Sequence, residues 1–283
     1  MHPVALGLVL LSAGAHVYWN AQVKRSPVPG LATWWVQAIG VALLAPAALP
    51  TLLAGKVPPA GWRCVAASGL LYAAYFLLIA RCYRHDDLSR AYPIARGVAP
   101  AVTVLTGTLL LGERPSFLGW AGIVAISLGV VWLTLPPGRE RIARAGGVAA
   151  IATGGCTAAY SAVDKVGVAC VEPVAYLVLT YAASSAIQLP LMLRGGGRDA
   201  LLAEVRRDGR GLALAAIACL GGYLLVLLAL RVAPVSYVVP LRSVSVLLSL
   251  VVGSRILGEV EAKARLPATV LIMAGMAAIA TGG

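Results

Sequence analysis

Residues 211–230 read GLALAAIACLGGYLLVLLAL and contain no charged side chain. Residues 31–55 form a second uncharged, largely apolar run. An apolar run of about 18 residues or more can cross the hydrocarbon core of a bilayer as a single helix. Composition agrees, because 12% of the residues are charged, roughly half the fraction that soluble domains carry. The sequence therefore predicts an all-α integral membrane protein.

Eight further apolar runs flank these two, and together they predict ten transmembrane helices. Joints rich in proline and glycine separate them, such as residues 27–30 and 136–138. The first run lacks a basic start and a small-residue cleavage site, so it is interpreted as a retained helix. The connection 194–210 is charged and rich in glycine, which predicts a solvated loop. The helices are expected at residues 3–23, 31–54, 61–80, 90–111, 117–135, 146–164, 173–193, 211–230, 235–257 and 266–282.

The chain contains an internal repeat. Gly112-Glu113 recurs as Gly258-Glu259, 146 positions later, and the same offset carries Arg96 onto Arg242. Residues 19–24, WNAQVK, correspond to residues 160–165, YSAVDK, at a different offset that loop lengths account for. We assign the repeats to residues 1–138 and 145–283. Because each holds an odd number of helices, the two must have opposite orientations, as in many secondary transporters.

The net charge of +12 comes from Lys and Arg in the connections between apolar runs. Such residues set membrane topology, so no nucleic-acid partner is expected. The odd-numbered connections hold most of them, which predicts that these connections are cytoplasmic and that both termini lie outside. We expect a multi-pass protein of the cell inner membrane, in contact with the lipid bilayer.

Three segments resemble the drug/metabolite transporter superfamily, and specifically two tandem EamA-type domains. They are residues 16–25 (HVYWNAQVKR), residues 91–100 (AYPIARGVAP) running on to LGER at 111–114, and residues 235–242 (VSYVVPLR) running on to LGE at 257–259. The resemblance implies a ten-helix bundle whose central cavity is lined by helices 1, 3, 4, 6, 8 and 9. It also implies alternating-access transport of small organic solutes. Many relatives have cytoplasmic termini, opposite to the orientation that the charges predict.

Two arginines lie within apolar runs at equivalent places in the repeats. Arg96 and Arg242 each follow a proline, Pro93 and Pro240, which interrupts the helical hydrogen bonding. A charge at this depth is costly, so each should face a cavity or a partner. The pair could bind a carboxylate or phosphate by forked hydrogen bonds, or could instead attach its interrupted helices to the opposite half.

Polar aromatic residues and one amide form the rest of the predicted substrate site. Aromatic rings can stack on a solute while their polar atoms hydrogen-bond to it. For each residue alone, ordinary packing or an interfacial position is the alternative, and Asn20 could simply cap a helix end. The set comprises Trp19, Asn20, Tyr72, Tyr75, Tyr92, Tyr160, Tyr223 and Tyr237.

Two titratable residues are candidates for proton coupling. His16 lies within the first helix, one turn before Asn20, where an imidazole could relay protons or bond to a helix neighbour. Asp164 could also carry a proton, although a local ion pair with the adjacent Lys165 is the simpler interpretation. Glu113 and Glu259 are expected to be structural, at the N-termini of the helices that follow them.

No ATP-binding, metal-binding or hydrolase motif is present in the sequence. Catalytic residues, a metal site and a cofactor are therefore not expected, and the five dispersed cysteines are interpreted as inert packing residues. The sequence predicts a secondary-active or facilitative transporter of a small polar metabolite, such as an amino-acid-like or other anionic solute. The alternatives are a flippase for an anionic lipid-linked headgroup and a membrane-embedded enzyme. The working unit would be a monomer or a homodimer.

Overall fold

The computed structural model describes residues 2–85, 88–134, 144–194, 197–245, 247–248 and 262–282. Within them, the side chains of 82–97, 133–134, 144–147, 150 and 262–266 lie outside the description. The described residues form ten helices and no strand. The helices are α1 Pro3–Lys24, α2 Pro29–Leu53, α3 Pro59–His85, α4 Leu88–Leu110, α5 Phe117–Thr134, α6 Arg144–Cys170, α7 Pro173–Arg194, α8 Gly197–Val232, α9 Val235–Leu241 and α10 Ala262–Gly282.

This architecture confirms the predicted fold of ten helices in two five-helix repeats. Local sequence explains where several helices begin and end. Pro29, Pro59 and Pro173 each occupy the first position of a helix, where a missing N–H removes no intrahelical bond. Gly55 and Gly112 follow the ends of α2 and α4 with φ values of 62° and 67°, a left-handed conformation that glycine adopts without steric cost.

Helix packing follows the repeat. α1 packs on α8 as α6 packs on α3, and α2 contacts α8 as α7 contacts α3. Equivalent helices also contact each other, since α2 packs against α7 and α5 against α10, and α4 packs on both α5 and α6. The halves are thus intertwined, and the centre of the bundle is built by helices from both repeats.

Five helices or helix segments in the described part are long and apolar enough to cross a membrane: Pro3–Lys24, Pro29–Leu53, Pro59–Arg81, Pro173–Arg194 and Gly197–Val232. Shorter apolar helices at Val98–Leu110, Phe117–Trp132 and Pro267–Gly282 accompany them. Large apolar side chains on the outside, such as Phe117 and Leu109, are 86% and 78% exposed. The chain is therefore a multi-pass membrane protein whose outer surface suits lipid.

The prediction of a solvated loop at residues 194–210 is wrong, because most of this stretch is the beginning of helix α8. Residues 197–207 form a surface segment that joins the transmembrane part of α8 at a kink, where Asp208 has φ −148° and ψ 51°. The Asp208 carboxylate accepts a hydrogen bond from Gly211 N at 3.0 Å and so caps the transmembrane part. The surface segment is amphipathic: Leu201 and Glu204 are buried, and Ser26 donates to Glu204 at 2.8 Å.

Helix α9 is only seven residues long, because the predicted ninth span is interrupted. It ends at Leu241, directly after Pro240, and helical backbone resumes at Val244. Across the interruption the bonds tighten, since Ser243 N donates to Pro240 O at 2.9 Å. The side chain of Arg242 leaves the backbone at this turn, in the interior of the bundle.

Candidate functional site

A small cavity lies at the centre of the bundle, between α1, α3, α6, α7, α8 and the end of α9. Its volume is about 20 Å³, close to what a single water molecule needs. A larger solute therefore requires the surrounding helices to separate. The cavity is lined by Ser12, His16, Trp19, Tyr72, Tyr75, Phe76, Tyr160, Tyr181, Ala218, Cys219, Gly222, Tyr223, Val226 and Arg242.

Arg242 supplies the positive charge in this cavity. Its side chain is 5% exposed, and its Cζ lies 5.2 Å from the ring centroid of Tyr223, a cation–π distance. Its buried Nη1 has no hydrogen-bond partner among the residues that the structure describes. A guanidinium carries five donors, so this orphaned nitrogen can still bind an acceptor that enters the cavity.

The walls of the cavity are mainly aromatic. Tyr72 stacks on Tyr160 with ring centroids 4.5 Å apart, and Tyr223 meets Tyr72 edge to face at 5.5 Å. Trp19 and Phe76 extend the layer toward α1, with ring centroids 6.0 Å apart. Such faces favour planar or apolar parts of a solute and also attract cations.

Asp164 lies behind this aromatic layer with no exposed surface. Its Oδ1 accepts from Ser68 at 2.5 Å and from Tyr176 at 2.8 Å. Its Oδ2 accepts from Tyr72 at 2.7 Å and from Tyr223 at 2.5 Å. These four donors come from α3, α7 and α8, so a single carboxylate on α6 fixes three neighbouring helices.

Lys165 does not form the expected ion pair with Asp164, because its side chain turns toward the end of α8. The Nζ donates to the carbonyls of Leu230 at 2.5 Å and Ala233 at 2.9 Å. A cation at the C-terminus of a helix is favoured by the helix dipole and fills otherwise unpaired carbonyls.

Glu113 has a structural contact, as predicted, but with a different helix from the one expected. Its carboxylate accepts from Val235 N at 2.7 Å and Ser236 N at 3.0 Å, in the first turn of α9 and not of α5. The first repeat therefore caps a helix of the second. Glu259 lies outside the described residues.

Seven of the predicted site residues meet at the cavity. They are His16, Trp19, Tyr72, Tyr75, Tyr160, Tyr223 and Arg242. His16 also has the local bond that was considered, since its Nδ1 accepts from Trp19 Nε1 at 3.1 Å. Tyr92 and Arg96 belong to α4, but their side chains lie outside the described part.

Three other predicted residues lie away from the cavity surface. Asn20 is buried beside it and donates to the carbonyl of His16 at 2.7 Å. Tyr237 packs against the start of α5, where its hydroxyl accepts from Ser116 N at 3.0 Å. Asp164 reaches the cavity only through the hydroxyls of Tyr72 and Tyr223.

The structure also brings to the site several residues that no sequence pattern had marked. Tyr181 and Phe76 line the cavity, whereas Ser68 and Tyr176 complete the bonds to Asp164. Ser68 and Tyr72 lie four positions apart on α3, and this helical spacing places both on one face. That spacing was a usable signal, but nothing near Tyr176 marked it as a partner of Asp164, which lies 12 positions earlier on the preceding helix.

The chain matches the family model described as the EamA-like transporter family over residues 3–135 and 144–281. It is 28% identical over 80 residues to a protein named "Uncharacterized transporter in cobO 3'region" of Sinorhizobium sp, covering 28% of this chain and 56% of that one. It is 33% identical over 60 residues to the spermidine export protein MdtI of Klebsiella pneumoniae subsp. pneumoniae, covering 21% and 55%. The chain thus spans little more than half the length of these curated relatives.

A solved structure, entitled only "Crystal structure of protein", has the same fold. It superposes with a TM-score of 0.72 and 20% sequence identity, over 98% of this chain and 95% of that one. At this identity the likeness concerns the fold alone. The two family matches correspond to the two five-helix repeats, with their junction between α5 and α6.

Proposed function

Because the chain belongs to the EamA-like transporter family, we propose that it carries a small organic acid across the cell inner membrane by alternating access. The solute binds in the central cavity, between helices of both repeats. Rocking of the halves opens the cavity to one side at a time. At its volume of about 20 Å³, the cavity must widen before it can hold such a solute.

The observation that carries this proposal is the buried guanidinium of Arg242. A charge buried without a partner is costly, and the Nη1 of Arg242 has no hydrogen-bond partner in the described part of the chain. The buried carboxylate of Asp164 already accepts four hydroxyl protons. A carboxylate on the solute would supply the acceptor that Arg242 lacks, by a charge-assisted hydrogen bond.

The aromatic walls define the rest of the solute. Tyr72, Tyr160 and Tyr223 line the cavity, and their rings pack on one another beside the charge of Arg242. A solute with one acidic group and a planar or apolar body matches this arrangement, as aromatic and amino-acid-like acids do. A polyhydroxylated solute matches it poorly, because the walls offer few free hydrogen-bonding groups.

Thermal unfolding of the detergent-purified protein tests the proposal. Phenylacetate and its neutral analogue phenylacetamide have almost the same shape, so only charge separates them. At 100 times its Kd, a ligand that binds only the folded state stabilises it by about 2.7 kcal/mol. We expect phenylacetate to raise the unfolding midpoint and phenylacetamide to leave it unchanged.

Variants of two arginines locate the binding site. Arg242→Gln should abolish the phenylacetate shift, and Arg242→Lys should restore part of it, since lysine keeps the charge but not the fork. Arg207→Gln is the matched control: this arginine is 40% exposed and pairs with Glu204 on the surface segment. Equal shifts in wild-type and Arg242→Gln protein would refute the assignment.

A cationic solute is the second candidate. Aromatic faces attract cations, and a relative matched over part of its length is named as a spermidine export protein. Spermidine therefore belongs in the same screen. If spermidine alone raised the midpoint, and Arg242→Gln enlarged that shift by removing a like charge, the cavity would be assigned to cations and Arg242 to a structural role.

A further inference from the structure

Two of the four hydroxyls that bind Asp164 belong to the walls of the cavity. Tyr72 and Tyr223 donate to Oδ2, whereas Ser68 and Tyr176 donate to Oδ1 from behind. Only the first pair lines the cavity. The carboxylate has no exposed surface itself. It is separated from a solute in the cavity by the hydroxyls of Tyr72 and Tyr223.

The number of donors and acceptors around Asp164 determines where each hydroxyl proton lies. An ionised carboxylate offers about four acceptor positions and no donor, and four hydroxyls occupy those positions. A tyrosine hydroxyl has one proton, so Tyr72 and Tyr223 have none left for a ligand while they bind Asp164. In this arrangement the cavity presents their rings, and their protons point away from it.

An acid bound beside Arg242 changes this balance. Each oxygen of a carboxylate can accept two hydrogen bonds, so the acid has free acceptor positions even when the fork of Arg242 holds both oxygens. Tyr223 lies next to these positions, since its ring centroid is 5.2 Å from the guanidinium carbon. Tyr72 adjoins it, with ring centroids 5.5 Å apart. Either hydroxyl can donate to the acid only after leaving Asp164. An ionised, buried Asp164 deprived of donors is strongly unfavourable, whereas a protonated one carries no charge.

We propose that Asp164 takes up one proton when an organic acid binds beside Arg242, so that the acid and the proton cross the membrane together. The hydrogen bonds from Tyr72 and Tyr223 to Oδ2 break, and a proton from solution bonds to that oxygen. The freed hydroxyls then donate to the acid. Release of the acid reverses each step. This inference rests on the proposed function, because it requires an acid at Arg242.

The groups around Asp164 identify it as the proton acceptor. Among the described residues, Cys64 and Tyr72 face it from α3, Tyr176 from α7 and Tyr223 from α8. Each of these is normally neutral at neutral pH, so none competes as an anionic base. On its own helix the adjacent Lys165 turns away to the end of α8. The side chains of residues 88–97 on α4, which also packs on α6, lie outside the description.

Directly after α9, Arg242 remains charged at all accessible pH values. It contacts the ring of Tyr223, whose hydroxyl donates to Asp164. His16, on α1, also lines the cavity, and an imidazole is the side chain whose ordinary pKa lies nearest neutrality. The Asp164→Asn variant separates His16 from Asp164 in a test of proton uptake.

Proton uptake can be measured directly in the wild-type protein. Phenylacetate is mixed with the protein in weakly buffered, mildly alkaline solution that contains a pH-indicator dye, and phenylacetamide serves as the blank. We expect about one proton to be taken up per acid bound, as the linkage of one site requires. Asp164→Asn protein should bind the acid and take up no proton. Acid binding without uptake in the wild type, or the same uptake in Asp164→Asn, would overturn the role of Asp164.

The pH dependence of affinity provides the second test. If binding takes up a proton, the Kd for phenylacetate should rise by up to about tenfold per unit increase in pH above neutrality. In Asp164→Asn the Kd should be independent of pH, because the amide imitates the neutral acid. Glu204→Gln is the control, since it removes another buried carboxylate that lies on the surface segment beside Ser26.

The outcomes separate the two proposals. Identical pH profiles in wild-type and Asp164→Asn protein would refute proton uptake by Asp164 and leave acid transport standing. If phenylacetate and related acids bind the wild type at no pH, the proposed function itself fails, and this inference fails with it. If Asp164→Asn proves unstable, proton uptake by the wild-type protein still decides the question.

Discussion

Helices α1 and α6 hold equivalent places in the two repeats, yet only α6 carries a buried charge toward the centre. The alignment of WNAQVK with YSAVDK places Val23 where the second repeat has Asp164. Both side chains are fully buried. Val23 belongs to the apolar core, whereas Asp164 accepts four hydroxyl bonds. One repeat thus uses the position for packing and the other for a polar network.

Among the hydrogen bonds that the structure describes, those of the polar groups of α1 lie mostly within their own helix. His16 accepts from Trp19, and Asn20 donates to the carbonyl of His16. Ser12 likewise bonds to the carbonyl of Val9 at 2.7 Å. Such bonds satisfy side chains without joining helices, whereas the Asp164 bonds fix α6 to three others. The comparison teaches that a repeated fold does not imply a repeated site, and that the chemistry is concentrated on the α6 side.

Introducing a carboxylate on the α1 side is the most severe test of this difference. Val23→Asp would bury a charge without the four hydroxyls that Asp164 has. We expect a loss of about 3–5 kcal/mol in unfolding free energy, measured as a large fall in the thermal midpoint or as failure to purify as a monodisperse species. Val23→Ala is the control for lost packing and should cost about 1–3 kcal/mol. A Val23→Asp protein as stable as Val23→Ala would show that α1 has hidden polar partners.

The repeat explains why so much of the fold was predictable. Long apolar runs, proline starts and the recurring Gly-Glu dipeptide report local properties of the chain, and they predicted ten helices. Most bounds are nearly correct, but α8 begins earlier than predicted and the ninth span is interrupted after Leu241. The surface segment at residues 197–207 was missed because its charges and glycines resemble those of a loop. Its helix depends on tertiary contacts: Trp35 donates to the carbonyl of Leu201 at 2.8 Å, and Ser26 donates to Glu204.

The site was less predictable because its defining bonds connect distant residues. Arg242 was marked by its charge in an apolar run and by the preceding Pro240, which are both local signals. The partners of Asp164 were not marked, since Ser68 is 96 positions away and Tyr176, although only 12 positions away, lies on the next helix. The adjacent lysine suggested an ion pair instead, and only the packing of α8 explains why Lys165 turns away.

Removing one hydroxyl from the α6 side should have an intermediate effect. Tyr223→Phe keeps the ring beside Arg242 but deprives Asp164 of one donor. Hydrogen bonds to charged groups contribute about 1.5–3 kcal/mol, and we expect a loss of that size in unfolding free energy. Tyr18→Phe is the matched control, because Tyr18 lies on the outer face of α1 and is 41% exposed. Its change should stay within about 0.5 kcal/mol, and equal effects would argue against a charged Asp164 in the resting protein.

Lys24 and Lys165, which directly follow Val23 and Asp164, provide the test with the smallest expected effect on stability. Lys165 is partly buried and donates to two carbonyls at the end of α8, whereas its counterpart Lys24 is exposed at the end of α1. Lys165→Met keeps the length of the side chain but leaves those carbonyls and the negative end of the helix dipole unpaired. We expect a loss of about 1 kcal/mol, seen as a small fall in the thermal midpoint, and almost none for Lys24→Met. If both variants fell equally, the lysines would have one role in both repeats, and the asymmetry between α1 and α6 would be confined to Asp164 and its hydroxyls.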